Sequence, residues 1–176
     1  MRLIQKAKGF LFDLDGVFIQ SGKPLPGAID ALASLRALNI PFRFLTNTTT
    51  QSRKTLQSTL ISIGLNCEEE EIFSAGFSGV QAIKAMGYPT CSYYITDDLK
   101  KDYLIFEEDI EKPEVIIVGD YEDWNFKKLD QAFQYVMSGS RILALHMGKY
   151  YRVDSGLRID AGAFVAAFVY YLLARE

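Results

Sequence analysis

Short apolar runs and longer amphipathic stretches alternate along the first half of the chain. The runs have the length and composition of buried strands, and the stretches repeat apolar residues at the spacing of a helix face. The predicted elements are strands at 10–14, 42–45 and 72–75 and helices at 26–38 (inward face Ile29, Leu32, Leu35 and Leu38), around Leu56, Leu60 and Ile63, and up to Met86. This alternation predicts a parallel sheet covered by helices, in which ligands bind at the carboxyl ends of strands.

The second half shows the same alternation with a different texture. The predicted elements are a half-exposed strand at 92–96, a buried strand at 114–118, strands at 141–146, 150–153 and 157–159, a turn at 154–156, and helices at 126–137 and 161–173. These elements form a second α/β unit. We therefore predict two domains, with residues 1–87 in the first and 88–176 in the second.

Composition and charge limit the classes of binding partner and the cellular location that we expect. The formal charge of −3 and a pI near 5.3 provide no positive field for nucleic acid or anionic lipid, so a small-molecule partner is expected. Cys67 and Cys91 are far apart and form no CxxC motif, which favours reduced, packed thiols. The N-terminus has no signal-peptide pattern, and the longest apolar run is too short to span a bilayer, so a cytoplasmic location is expected.

The candidate chemistry begins at FLFDLDGVFIQ, residues 10–20, where a buried strand ends in two aspartates. Asp13 could attack an electrophile and Asp15 could transfer a proton, with Gly16 in the following turn. An anionic nucleophile that approaches a phosphate requires a divalent cation, and Mg²⁺ suits a site made of oxygen ligands. On this motif alone, an acidic turn after a core strand is an equal alternative.

Further segments carry a family resemblance. FDLDGV at 12–17, a helix opened by PGA, and FLTNTTTQSR at 44–53 resemble motifs I and II of the haloacid dehalogenase-like (HAD) superfamily. PEVIIVGDYEDWNFKKLDQAF and KYYRVDSGLRIDAGAFVAAF resemble segments of the C2-type cap in its NagD-like, p-nitrophenylphosphatase-type branch. The resemblance implies a Rossmann-like HAD core over 1–87 and an α/β C2-type cap over 88–176.

The resemblance also implies roles for individual residues. Asp13 would be the nucleophile that forms an aspartyl-phosphate, and Asp15 the general acid/base that marks phosphatases. Both would bind Mg²⁺, Asp15 through its main-chain carbonyl. The expected phosphate- and substrate-binding residues are Thr46, Asn47 and Gly16, with Arg53 and its helix N-terminus as a further candidate. The implied substrates are small organic phosphates such as sugar phosphates, phosphoglycolate, pyridoxal phosphate or nucleoside monophosphates.

The resembling proteins continue after the cap with a lysine and an acidic GDD-type motif. Glu176 stands where the cap should return to the core, so a truncated chain is expected. In the family's sheet order 5-4-1-2-3 the strand of Asp13 would then be an edge that pairs in an oligomer, and the chain alone would show little hydrolysis. Pairing through the cap is also possible. Alternatively, Lys112, Asp120 and Asp123 supply the missing motifs of a compact enzyme.

Two other function classes stay open: a receiver-like phospho-acceptor domain and a non-catalytic binding module. The remaining polar features have ordinary interpretations. We interpret His146 as a strand-end or surface residue, Asp120 as a loop residue, Glu68 to Glu71 as a solvated turn, Thr48 to Thr50 as caps of the helix that contains Arg53, and Phe164, Phe168 and Tyr171 as core or cap interface.

Overall fold

The computed structural model describes residues 7–87, 90–153 and 155–173. This part of the chain folds into two compact units, one from residues up to 47 together with 53–74, the other from 48–52 together with residues from 75 onward. The first unit contains β1 (Phe10–Asp13), β2 (Ile19–Gln20), β3 (Lys23–Pro24), α1 (Ala28–Ala37), β4 (Phe42–Thr46), α2 (Arg53–Ser62) and β5 (Ile72–Ser74). The second contains α3 (Ala75–Met86), β6 (Thr90–Tyr94), α4 (Asp97–Lys100), β7 (Glu107–Glu108), β8 (Val115–Val118), α5 (Phe126–Met137), β9 (Arg141–Ala144), β10 (Tyr150–Val153), β11 (Gly156–Ile159) and α6 (Ala161–Leu173).

The first unit is built on a parallel sheet in the order β1-β4-β5. Strand β1 therefore lies at an edge among the described residues, in the expected order. Phe42 and Phe44 of β4 are buried against Leu32, Leu56 and Leu60 of helices α1 and α2. Side chains on a strand alternate between the two faces of the sheet. Those on the opposite face are exposed, Leu11 to 69% and Leu45 to 36%. The prediction that both strands are buried is wrong for this face.

Helix α1 buries fewer residues than its apolar spacing predicts. Leu32 is buried and Leu35 partly buried, but Ile29 and Leu38 are 44% and 62% exposed. The helix ends at Ala37, so Leu38 lies beyond its last turn. The face is formed by Ala28 with Leu32 and Leu35, and the predicted inward positions of Ile29 and Leu38 are wrong.

The second unit has a parallel sheet in the order β7-β6-β8-β9 and a separate β10–β11 hairpin. Strand β8 is buried along its whole length and divides two apolar clusters. Val115 and Ile117 pack with residues of α3, while Ile116 and Val118 pack with residues of α5 and α6. The unit is therefore a sheet covered on both faces. The Asp154 position of the predicted hairpin turn lies outside the described residues.

Several predictions about burial can be compared with this unit. The half-exposed strand predicted at 92–96 is wrong: β6 is largely buried because Cys91 and Tyr93 pack in the apolar cluster on one face of the sheet and Tyr94 packs in the cluster on the other. Phe164 and Phe168 pack in the cluster with α5, as predicted for core residues, and the side chain of Tyr171 lies outside the described residues. Cys67 and Cys91 are free and buried, which confirms packed cysteines.

The compact units divide the chain after Ser74, upstream of the predicted boundary at residue 87. Helix α3 supplies Val80 and Ile83 to the second unit's core, which explains why it belongs there. The assignment of 1–87 to a core domain and 88–176 to a cap stays a prediction.

We expect Gly79→Ala to destabilise the second unit. A Cβ at Gly79 would lie 2.2 Å from the Tyr103 hydroxyl and 2.4 Å from Leu145 Cδ2, and that buried hydroxyl donates to the Gly76 carbonyl at 2.7 Å. The clash should outweigh the gain in helix propensity of about 1 kcal/mol. Urea unfolding followed by fluorescence of the single tryptophan, Trp124, measures the effect. Ser78→Ala, at an exposed position on the same helix, is the control. If the Gly79→Ala variant is as stable as the Ser78→Ala variant, the close packing of Gly79 against Tyr103 and Leu145 is refuted.

We expect Glu71→Gln to destabilise the first unit by about 1 kcal/mol at neutral pH. Arg36 donates to both Glu71 oxygens, at 2.7 and 2.5 Å. Burial acts to raise the pKa of Glu71, but hydrogen bonds from Arg36 and the Glu68 backbone outweigh burial and hold the pKa below its ordinary 4.5. A depressed pKa stabilises the fold above pH 4.5, and this contribution is lost as pH falls through the folded-state pKa.

Thermal unfolding by circular dichroism at pH 7 and pH 3 tests this ion pair. The difference between the wild type and Glu71→Gln should be largest at pH 7 and smaller at pH 3, whereas the exposed Glu70→Gln should match the wild type at both. A difference that is the same at both pH values would refute the ionic contribution.

Candidate active site

The two aspartates of the DLD motif are separated by a residue that anchors them. Leu14 is 1% exposed and lies in the core of the first unit, while Asp13 and Asp15 on either side are exposed. The Leu14 amide donates to the Leu45 carbonyl at 3.2 Å, which continues the β1–β4 pairing one residue past β1. The one-residue spacing therefore fixes the backbone between two carboxylates that both remain accessible.

The chain after Leu14 closes into a tight turn. The Phe18 and Ile19 amides donate to the Leu14 carbonyl at 3.0 and 2.9 Å, and the Gly16 amide donates to the Ile19 carbonyl at 2.7 Å. Gly16 has φ 80°, a left-handed conformation that favours glycine, and a Cβ there would meet no atom within 4 Å. The turn therefore presents open space beside its backbone, where a ligand can approach.

Strand β4 brings Thr46 and Asn47 to the same edge of the sheet. Asp13 is aligned with Leu45 in the parallel pair, and Thr46 is the next residue. Thr46 is 8% exposed and Asn47 is exposed. The carboxyl ends of β1 and β4 thus collect two carboxylates, a hydroxyl and an amide side chain, which are the predicted site residues apart from Gly16 and Arg53.

The donor set fits a hard divalent cation. Among the described residues, neither Asp13 nor Asp15 forms an ion pair with a lysine or arginine, so their oxygens are available. Carboxylate and carbonyl oxygens are the ligands that Mg²⁺ takes from proteins.

Arg53, the further phosphate-binding candidate, is engaged elsewhere in the first unit. It is the first residue of α2, and its Nη2 and Nε lie 2.9 and 3.2 Å from Glu69 Oε1. An anion at Arg53 would compete with this ion pair. Because Glu69 and Glu71 both pair with arginines, the interpretation of 68–71 as a merely solvated turn is wrong.

Thr49, interpreted as a cap of α2, has a different partner. Its hydroxyl donates to Asp120 Oδ2 at 2.7 Å and accepts from the Asp120 amide at 3.1 Å, both within the second unit. Thr49 is fully buried, so this pair of bonds satisfies its hydroxyl. The capping interpretation is wrong for Thr49.

Asp120 and His146, interpreted as ordinary loop or strand-end residues, lie together with Asp160. His146 Nε2 is 3.5 Å from Asp120 Oδ1 and 3.5 Å from Asp160 Oδ1. The neighbouring His146 holds the pKa of Asp120 below its usual range, and Asp120 raises the pKa of His146. Asp120 lies in a loop and His146 at a strand end, as interpreted, but that interpretation did not foresee that they lie together.

A sequence signal for this cluster was available. Asp120 follows β8 and His146 follows β9, and these strands are parallel neighbours. The rule that placed Asp13 beside Thr46 therefore also applies to them.

The other residues of the compact-enzyme alternative have local partners. The Lys112 amide donates to Asp109 Oδ1 at 2.9 Å, and Asp123 Oδ2 lies 3.9 Å from Lys128 Nζ.

Comparisons with known proteins point to one family. A family model described as haloacid dehalogenase-like hydrolase matches residues 10–109. Haloacid dehalogenase-like hydrolase domain-containing protein 2 of Mus musculus is 30% identical over 164 residues, which cover 93% of this chain and 62% of that protein. Phospholysine phosphohistidine inorganic pyrophosphate phosphatase of Homo sapiens is 27% identical over 170 residues, again 93% of this chain and 62% of that protein.

Solved structures share the fold. The p-nitrophenyl phosphatase from Archaeoglobus fulgidus superposes with a TM-score of 0.85 at 24% identity, covering 93% of this chain and 64% of that one. NagD from E. coli K-12 superposes with a TM-score of 0.81 at 20% identity, covering 92% and 64%. These likenesses confirm the predicted α/β fold class. The chain spans about 62% of the length of the curated relatives named here. None of the helices in the described ranges has the length and apolar character needed to cross a membrane.

We expect Thr49→Val to destabilise the second unit by about 1–3 kcal/mol, because it leaves Asp120 Oδ2 and the Asp120 amide without the Thr49 hydroxyl. Valine keeps the buried volume, so the loss is one of hydrogen bonding. Urea unfolding followed by Trp124 fluorescence measures it, with the exposed Thr50→Val as the control. Equal stability of the two variants would show that the Thr49–Asp120 contact contributes nothing.

Proposed function

The chain belongs to the haloacid dehalogenase-like hydrolase family, and we propose that it carries the nucleophile half of a Mg²⁺-dependent phosphomonoesterase site. Family membership confirms the resemblance predicted from FDLDGV and FLTNTTTQSR. It favours a phosphatase over a receiver-like domain. The observation that carries the proposal is the position of Asp13 at the carboxyl end of β1. Asp13 pairs with Leu45 of the neighbouring strand β4, and Thr46 is the next residue of that strand.

Asp13 is the proposed nucleophile. In the first step a carboxylate oxygen of Asp13 forms a bond to phosphorus, and the bond between phosphorus and the ester oxygen breaks. Asp15 protonates the departing alkoxide, which leaves as an alcohol. The product on the protein is an aspartyl-phosphate at Asp13.

Hydrolysis of this intermediate is the proposed second step. Asp15, now a carboxylate, takes a proton from water as the water oxygen bonds to phosphorus. The bond between phosphorus and the Asp13 oxygen breaks, so inorganic phosphate leaves and Asp13 is restored. The exposure of both carboxylates and their separation by the anchored Leu14 support two distinct roles.

Asp13 and the Asp15 main-chain carbonyl are the proposed ligands of Mg²⁺. When bound, the ion would neutralise charge between the anionic nucleophile and the phosphate. Thr46 and Asn47 are proposed to donate hydrogen bonds to the phosphoryl oxygens, and the open Gly16 turn leaves room for that group. Arg53 is the weaker candidate because Glu69 already pairs with it.

The proposed substrate is a small organic phosphate monoester. The similar proteins include a phospholysine phosphohistidine inorganic pyrophosphate phosphatase and a p-nitrophenyl phosphatase, which supports phosphoryl hydrolysis as the reaction class. A net charge of −3 gives the chain no electrostatic attraction for a polyanionic macromolecule, which favours a small molecule as the substrate.

We expect Asp13→Asn to abolish whatever Mg²⁺-dependent phosphate release the wild-type chain shows, because an amide cannot form the acyl phosphate. Asp15→Asn should slow release and let phosphorylated protein accumulate, since the second step then lacks its base. Phosphate release from a panel of monoesters, with intact-mass spectrometry of the protein, measures both effects.

The matched control is Asp30→Asn, an exposed carboxylate on α1 that should leave release unchanged. Equal release by wild type and Asp13→Asn would show that the nucleophile is misassigned. Release by this chain alone can be low, so a wild-type chain that takes up no phosphoryl group from any monoester would contradict the proposed function and favour a binding module.

A further inference from the structure

We propose that Asp120, His146 and Asp160 form a zinc-binding site in the second unit, independent of the magnesium ligands proposed in the first. The three ligands come from separate parts of the unit. Asp120 follows β8, His146 follows β9, and Asp160 directly precedes α6. A bound ion would therefore connect two adjacent strand ends to the start of a helix.

The distances suit tetrahedral zinc. One ligand atom from each residue can be chosen so that all three lie within 4.8 Å of one another. His146 Nε2 lies 3.5 Å from one oxygen of each carboxylate. Two donors at ordinary zinc distances of about 2.1 Å in tetrahedral geometry are separated by about 3.4 Å. The observed separations to Nε2 are thus close to those of donors that share one metal ion.

His146 Nε2 is the independent sign of a missing ligand. This nitrogen is inaccessible to solvent, yet it has no hydrogen-bond partner among the described residues. At 3.5 Å the two carboxylate oxygens are beyond a well-formed N–H···O bond. A buried nitrogen without a partner is costly, and a metal ion between it and the carboxylates would satisfy all three groups.

The carboxylates are held in place by further contacts, as metal ligands usually are. The Thr49 hydroxyl donates to Asp120 Oδ2 at 2.7 Å, which leaves Oδ1 directed at His146. The Ala161 amide donates to Asp160 Oδ1 at 2.7 Å. A Cβ on Gly148 would lie 2.1 Å from Asp160 Oδ2, so a side chain at this position would displace the Asp160 carboxylate. The side chains of Asp160 and His146 are 11% and 18% exposed.

The donor chemistry selects the metal. One imidazole nitrogen and two carboxylate oxygens form a mixed set that suits zinc, whereas Mg²⁺ prefers oxygen ligands alone. Two carboxylates and a neutral imidazole carry a charge of −2, which one Zn²⁺ balances. Three protein ligands leave a fourth position for water.

Zinc binding should change the tautomer of His146. The Gly148 amide donates to Nδ1 at 3.2 Å, so Nδ1 is an acceptor and a neutral ring carries its proton on Nε2. Zinc at Nε2 would displace that proton and leave the ring protonated at Nδ1. The bond from Gly148 would then be lost, at a cost of about 1 kcal/mol that metal binding can exceed.

Because His146 is the single histidine of the chain, its imidazole nitrogens can be followed without ambiguity by NMR. We expect stoichiometric zinc to move the ring from the Nε2-protonated to the Nδ1-protonated pattern. Asp160→Asn should weaken zinc binding at least about tenfold, since it removes one charged ligand. Thermal unfolding followed by Trp124 fluorescence should show stabilisation by zinc in the wild type and none in His146→Gln.

Two controls locate the site. Asp123→Asn, an exposed carboxylate in the loop that also holds Asp120, should bind zinc as the wild type does. Asp13→Asn should also retain the His146 response, which separates this site from the proposed active site. The proposal is overturned if millimolar zinc leaves the His146 resonances unchanged, or if Asp160→Asn binds zinc as tightly as the wild type.

Discussion

Parallel strand pairing is the constraint on which both sites depend. Neighbouring parallel strands end at the same edge of a sheet, so polar residues that directly follow them are collected there whatever their separation in the sequence. In the first unit this pairing aligns Asp13 with Leu45 and brings Thr46 to the edge that holds Asp13. In the second unit, the pairing of β8 with β9 brings Asp120 near His146. The same backbone geometry therefore produces two different sets of donor atoms.

The DLD motif shows how one buried core residue can position two exposed carboxylates. Leu14 is buried and its amide pairs with β4, so the backbone between the carboxylates is fixed by packing and hydrogen bonding. The carboxylates need no ion pair to hold that segment. In the proposed mechanism this leaves Asp13 free to bond to phosphorus and Asp15 free to exchange protons, while family membership supports the reaction class. The histidine–carboxylate cluster differs, because its groups are held by bonds from Thr49 and Ala161.

Local patterns of apolar and polar residues predicted the positions of helices and strands better than they predicted which residues are buried and which distant residues are in contact. The apolar runs located β1, β4 and β8, and strand ends located the candidate active site. The exposure of Leu38 and the burial of β6 were mispredicted, because they depend on where helix α1 ends and on the apolar clusters that cover both faces of the second sheet. Ion pairs such as Arg36–Glu71 join residues 35 positions apart, and no local period encodes them. Asp160 and Thr49 were missed for the same reason: their partners lie in distant segments.

The central claim is that β1 delivers Asp13 as a nucleophile beside the Thr46 end of β4. A crystal structure of the protein with Mg²⁺ and beryllofluoride, which mimics a phosphoryl group on a carboxylate, tests it most directly. The account predicts beryllium bonded to an Asp13 oxygen, a fluorine hydrogen-bonded to Thr46, and Mg²⁺ on Asp13 and the Asp15 carbonyl. Beryllofluoride on another carboxylate, or an Asp13 side chain directed away from the bound ion, would contradict it.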